Sequence, residues 1–304
     1  MNEDKKKYNE RFFKLCNGLI MAEFNSISFG IQLKEFFEPQ LAELTTNREE
    51  KDELDRKTSE LIKSLGGVPN FLYRLKNEPK PIFDTYVNSA INELFLSYQK
   101  AREAIYRAHI KFIIIDTIQK YPEYIKKKPP EDLVGYLENL YWDMVEIAYI
   151  RLASYWDRAG QLLDYIFFNI RQYERDGFSA VIDRIHINIG RILSELLKLE
   201  SWINILKYRK SENPDGYKWL IRRRNLIIHS ISLKNYENYE DDDDELFESN
   251  YNHLNVTVKR KLAPQKPKEE LKQLHAQFSI ATELFTKVLE ISSWGAKKVN
   301  RINN

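Results

Sequence analysis

Over residues 132–174 apolar side chains recur at three- and four-residue steps: Val145, Ala148, Leu152, Trp156, Ala159, Leu163, Ile166, Ile170 and Tyr173. A strand alternates its faces every second residue, so this spacing belongs to a long amphipathic helix. Asp176-Gly177 interrupts the pattern, and residues 178–209 resume it with Ile182, Ile185, Ile189, Ile192, Leu196, Leu199, Ile203 and Leu206. Asn213-Pro214-Asp215-Gly216 reads as a turn that starts a short helix over 216–231. Residues 232–266 look irregular. Pro264 and Pro267 then precede a last helix over about 268–298. Two long helices, a short one and a last one predict an all-α four-helix bundle over residues 131–304, with an irregular insertion before its final helix.

Residues 1–130 read as a helical N-terminal extension. Phe12, Phe13, Leu15, Ile20, Phe24, Ile27, Ile31 and Leu33 are mostly helically spaced, and Thr45-Thr46-Asn47 caps a charged helix running to Leu65. Gly66-Gly67-Val68-Pro69-Asn70 ends that helix. Pro79 and Pro81 open another, which reaches Tyr121 with Ile91, Leu94, Phe95, Tyr98, Ile105, Phe112 and Ile115 on its apolar side. Lys126-Lys127-Lys128-Pro129-Pro130 reads as a linker and sets the expected boundary. The sparse use of Gly and Pro, 10 of each in 304 residues, agrees with long helices. Only Leu254-Asn255-Val256-Thr257-Val258 alternates like a strand, and alone it cannot make a stable sheet.

The chain carries 47 basic and 45 acidic residues, a net charge of +2, so contact with a polyanion must come from local clusters. The single cysteine, Cys16, excludes an intrachain disulfide and a Cys-rich zinc site. The N-terminal MNEDKKKYNERFFK lacks the apolar core of a secretory signal, and no apolar run is long enough to span a bilayer. A soluble, cytoplasmic protein without membrane contact is expected.

The local cluster sits in the short helix: Lys218-Trp219-Leu220-Ile221-Arg222-Arg223-Arg224-Asn225-Leu226-Ile227-Ile228-His229. At about 100° per residue, Arg222 and His229 nearly eclipse, and Asn225 neighbours His229. Arg224 lies about 140° from His229, a gap that a long side chain and unwinding near Ser230 can narrow. One surface can then offer guanidinium, amide and imidazole to one ligand. Guanidinium matches phosphate with paired hydrogen bonds and keeps its charge. Histidine exchanges a proton near neutral pH. RNA brings its own nucleophile, the 2′-hydroxyl beside the scissile phosphate. Deprotonating that oxygen, stabilising charge on phosphorus and protonating the leaving 5′-oxygen needs no metal. The electrostatic contribution falls to arginine and acid–base help worth about 10² to 10⁴ in rate to histidine.

Arg224-Asn225-Leu226-Ile227-Ile228-His229 resembles the signature of HEPN domains (higher eukaryotes and prokaryotes nucleotide-binding), an Arg, four to six residues, then a His, commonly with a polar residue after the Arg. Arg222 and Arg223 also satisfy the spacing, but Asn225 fills the polar position behind Arg224. The resemblance covers about residues 132–298. It implies a metal-independent endoribonuclease without cofactor, built on an all-α bundle and usually dimeric, with motifs of two subunits in a composite cleft. Such domains occur in toxin–antitoxin, CRISPR-associated and phage-defence systems, so RNA, a second copy and an antitoxin or regulatory protein are the implied partners. Arg224, Asn225 and His229 take the catalytic positions, and Arg222 and Arg223 steer RNA.

Plainer readings stand beside this one. Arginine triplets usually form solvated faces, and a histidine at a helix end is favoured by the macrodipole. His186, among Ile185, Ile187 and Ile189, reads as a packed core residue. His109, His253 and His275 lack ligand-like spacing, and no metal is assigned. The acidic run Glu240-Asp241-Asp242-Asp243-Asp244-Glu245 reads as a solvated loop, with folding over the arginines as a phosphate mimic the sharper alternative. Asp157 or Asp164 can orient an arginine from the long helix, although a surface carboxylate is the commoner outcome. A non-catalytic HEPN-like module binding RNA, a nucleotide or a protein is the competing function, and a helical scaffold docking on an acidic partner is the third.

Overall fold

Helix α2 (Asp132–Phe167) is apolar over most of its circumference, and such a helix is stable only when neighbours surround it. Val145, Ala148, Leu152, Trp156, Ala159, Leu163 and Ile166, its expected stripe, are all buried. So are Tyr141, Trp142, Tyr149, Tyr155 and Leu162 on its other faces. The computed structural model describes residues 83–120, 132–168, 177–229 and 266–303 with isolated positions at 14, 52, 53, 56, 57, 59, 60 and 262, and not the side chains of 83–89, 132, 229 or 299–303. The expectations for Cys16, Ile170, Tyr173, His253, the run 240–245 and the stretch 254–258 fall outside the described residues.

Four further helices surround α2. Helix α1 (Phe83–Lys120) lies antiparallel to it, with Glu93 near Arg158 at 3.9 Å, Tyr98 against Tyr155 at 5.9 Å between ring centroids, and Phe112 against Tyr141 at 6.1 Å. Helix α7 (Pro267–Asn303) runs parallel to α2. Three tyrosines one or two turns apart on α2 fix that register: Tyr141 donates to the Pro267 carbonyl, Tyr149 to Glu270 and Tyr155 to the Ala281 carbonyl. Between these helices Tyr98 stacks on Phe278 and Phe285 with centroids 5.1 and 5.3 Å away. Helices α3 (Phe178–Arg184) and α6 (Tyr217–His229) cover the remaining faces of α2, and α5 (Glu200–Lys210) packs on α7. Among the described residues the fold is all-α with no strand.

The chain divides into two compact units, Met1–Asn47 and Arg48–Asn304, and the second holds every helix named here. The division falls at 47/48, and α1 and α2, on either side of 126–130, lie in the same unit. The physical reason is the long α1–α2 seam: Ile91, Leu94, Tyr98, Ile105 and Ile115 of α1 are buried within the same core as the bundle.

The second expected long helix is broken. After α3 the backbone passes through a π-helical segment (Ile185–Ile189), a single turn α4 (Gly190–Ile192) and a 3₁₀ segment (Ser194–Lys198) before α5 begins. Leu193, at φ −122° and ψ 73°, leaves helical geometry. Each change of helix type shifts the phase of the apolar stripe. Ile185, Ile189 and Leu196 stay buried, while Ile192 and Ile203 are each 49% exposed and Trp202, Ile205 and Tyr208 take their place inside. The same shift turns His186 outward, against expectation, its ring stacked near Trp202 at 6.3 Å. Local propensity favours a continuous helix here, and the burial of Trp202 and Leu196 overrides it.

Two close approaches fix this architecture. A Cβ on Gly160 of α2 would stand 2.9 Å from the Phe178 Cα, so α3 crosses at backbone contact. Gly216 lies under the Ser211 carbonyl, 2.4 Å from where a Cβ would be. Elsewhere the α1–α7 seam holds a histidine pair, His109 Nδ1 and His275 Nε2, 3.0 Å apart.

Gly160→Ala adds helix propensity but drives a methyl into the Phe178 backbone. We expect a net loss of about 1–3 kcal/mol in urea unfolding, and a gain in stability would show that the crossing relaxes freely. Burial pushes His275 down from its ordinary 6.5 to about 4. Between those values the unfolded chain takes up a proton that the folded chain refuses. Stability is therefore full above pH 6.5 and declines as pH falls toward 4, and His275→Gln should flatten that part of a melting-temperature profile.

Candidate functional site

Consecutive residues on a helix point about 100° apart, so three successive arginines cannot share one environment. The α6 triplet occupies three. Arg222 lies on the solvent side, its Nη1 3.5 Å from Glu212 and its side chain 31% exposed. Arg223 is 0% exposed. Arg224 is half-buried, and its Nη1 donates to Asn225 Oδ1 at 3.0 Å.

The expectation that Arg223 steers RNA is corrected by this geometry. Its Nη1 donates to the Leu262 carbonyl at 2.7 Å, and its Nη2 stands 3.1 Å from both carboxylate oxygens of Glu270. The Tyr149 hydroxyl donates to the same carboxylate at 2.6 Å. The guanidinium also lies over Trp219 and Tyr149, 5.0 and 5.7 Å from their ring centroids. Burial, then the Glu270 charge, raises the Tyr149 hydroxyl well above its ordinary range, so it remains a donor. Arg223 is thus a core residue joining α2, α6 and α7, and no ligand reaches it while the bundle is closed.

The other side of α6 faces α2. Asp157, largely buried, accepts a hydrogen bond from the Phe178 amide at 3.3 Å and so caps the start of α3. Desolvation raises its carboxyl above the ordinary value, against the pull of the Phe178 amide and the positive charges of Arg224 and Arg158. Tyr217, about two turns before Arg224 in sequence, feels the same Asp157 charge, and burial raises its hydroxyl strongly. Asp157 thus lies on α2 within the field of the Arg224 charge. Asp164 is buried too, but its partner is Arg184 of α3 and not an α6 arginine.

On the solvent side, backbone positions Lys218, Arg222 and Asn225 follow at steps of four and three, and His229 continues the line four residues on. Asn225 is exposed, and its amide is shared with Arg224. His229 is the last residue of α6, and its side chain lies outside the described atoms. The structure thus joins Arg224 to Asn225, places Arg222 and the backbone of His229 on the Asn225 side of α6, and buries Arg223 apart from them. Sequence reasoning missed Lys218 and Glu212. The first was legible as the i−4 neighbour of Arg222. The second sits across a turn, where no periodic signal reaches.

Among the described residues no group of three or more His, Cys, Asp or Glu side chains is arranged to hold a metal ion, and no helix is long and apolar enough to cross a membrane. Neither a family model, nor a curated protein, nor a solved structure matches this chain.

Removing the Arg223 guanidinium leaves Glu270 buried without its cation. Arg223→Met should cost about 3–5 kcal/mol in denaturant unfolding, while Arg222→Met should stay within about 1 kcal/mol of the parent. Equal losses in the two variants would contradict the division of labour along α6.

Proposed function

We propose that the chain is a metal-independent endoribonuclease of the HEPN kind, working in the cytoplasm in a toxin–antitoxin or phage-defence setting. The observation that carries the reading is the arrangement on α6. Asn225, exposed, is flanked by Arg222 on its own face and by Arg224 through a 3.0 Å hydrogen bond, and His229 follows one helical step later. A guanidinium beside the scissile phosphate supplies both positioning and charge stabilisation.

In this mechanism Arg224 neutralises the scissile phosphate, Asn225 orients it, and Arg222 steers the RNA strand. The 2′-hydroxyl loses its proton and its oxygen attacks phosphorus. The bond to the 5′-oxygen breaks, that oxygen receives a proton, and a 2′,3′-cyclic phosphate remains. His229 handles proton exchange. A single α6 supplies one imidazole where two proton transfers occur, which favours a homodimer in which a second copy contributes its own His229 and Arg224. Arg223 acts only by holding α6 on α2 and α7.

A second reading has its own support. Arg222 and Arg224 already have partners, Glu212 and Asn225, as suits a non-catalytic binding module for RNA, a nucleotide or a protein. Incubation with total RNA and tRNA in excess EDTA separates the two. The nuclease cuts RNA to cyclic phosphate ends, spares DNA of the same sequence, and loses about 10²- to 10⁴-fold in rate in His229→Ala. Binding by both proteins with cleavage by neither selects the module. Cleavage only after metal is added sinks the mechanism.

A further inference from the structure

The turn between α5 and α6 places a carboxylate over the cations of the exposed α6 face. Glu212 Oε1 accepts from Lys218 Nζ at 3.0 Å, and its Oε2 stands 3.5 Å from Arg222 Nη1. Lys218 and Arg222 are one helical turn apart, so two cations converge on one small anion. A carboxylate held this way presents two oxygens to them much as a phosphodiester does.

The turn that carries Glu212 is braced on both sides. Gly216 donates its amide to the Asn213 carbonyl at 2.7 Å, and Lys218 donates its amide to the Ser211 carbonyl at 3.2 Å. Gln277 of α7, fully buried, donates to the carbonyls of Pro214 and Gly216, and Gln273 donates to the Pro214 carbonyl as well. The absence of a Cβ at Gly216 lets the chain close this tightly on Ser211. Glu212 is thus presented by a fixed turn, not by a free loop. Its hydrogen bond from Lys218, with the charges of Arg222 and Lys218, holds the carboxyl below the ordinary value, so it stays ionised at neutral pH.

We propose that Lys218 and Arg222 form a second phosphate subsite, about one to three turns along α6 from Asn225 and His229, with Glu212 as a resident anion that an RNA backbone must displace. The proposal rests on the RNA-directed reading above and adds the path of the strand along α6 and a built-in brake on its binding. Glu212 sets a threshold: a polyanion that brings a phosphate to Lys218 and Arg222 gains their contact only by moving the carboxylate aside. Polyanions too short to reach from Asn225 to Lys218 gain nothing from this subsite.

The test uses the full chain and a short single-stranded RNA made uncleavable by 2′-O-methyl riboses, with binding followed by fluorescence anisotropy over a salt series. Glu212→Gln keeps the shape and removes the charge, and should tighten binding about two- to fivefold at low salt. Lys218→Ala should weaken binding and lower the slope of log affinity against log salt by about 0.7. In Glu212→Gln/Lys218→Ala most of the gain should vanish. If the parent binds the RNA but neither single variant changes affinity or slope, the subsite is overturned while the nuclease reading stands. If neither the parent nor Glu212→Gln binds RNA, both are overturned together.

Discussion

The Arg223–Glu270 pair is the joint on which the bundle closes. It is fully buried, and a buried ion pair is tolerable only when its remaining donors and lone pairs are occupied. Here the Tyr149 hydroxyl and the Leu262 carbonyl add hydrogen bonds to the pair, and two aromatic faces cover the guanidinium. The partners come from α2, α6, α7 and the segment just before α7. The pair therefore ties the short helix to the two long ones and returns the chain, after its long connection, to the start of α7. A hydrophobic contact of the same size would fix distance but not register. The directional bonds fix which turn of α6 meets which turn of α7.

That joint has a consequence for the neighbouring residues. Once Arg223 points inward, helical geometry sends Arg222 toward solvent and Glu212, and Arg224 toward Asp157 on α2. One basic triplet thus serves packing, a solvent-facing anion site and an interface with the central helix. Its outer face continues through Asn225 to His229. The helix that carries this face has its back locked in the core, so the backbone positions along it are fixed.

Much of the architecture was legible from apolar spacing. The stripe of α2, the apolar side of α1, the turn at Asn213–Gly216 and the start of α7 near Pro267 all stand where the sequence puts them. The break between Ile185 and Leu199 was not legible, because Ile, Leu and Arg in that stretch continue the helical pattern and no proline or glycine pair marks a stop. Its cause is a demand from outside the segment: Trp202 must enter the core beside α7, and a continuous helix would carry it elsewhere. Helices α1 and α2, on either side of Lys126–Pro130, pack along each other within one unit, which a linker signal in the sequence does not reveal.

What the sequence alone determined is the helical class and the presence of guanidinium, amide and imidazole at helical spacing on one short segment, since both follow from residue order and the 3.6-residue turn. Which arginine is buried and which is held by Glu212 was decided only by tertiary packing. A helix carries its side chains to fixed angles, but the direction that becomes the interior depends on where α2 and α7 lie. Glu270 is 47 residues from Arg223 in the chain, and only the folded bundle brings its carboxylate within 3.1 Å.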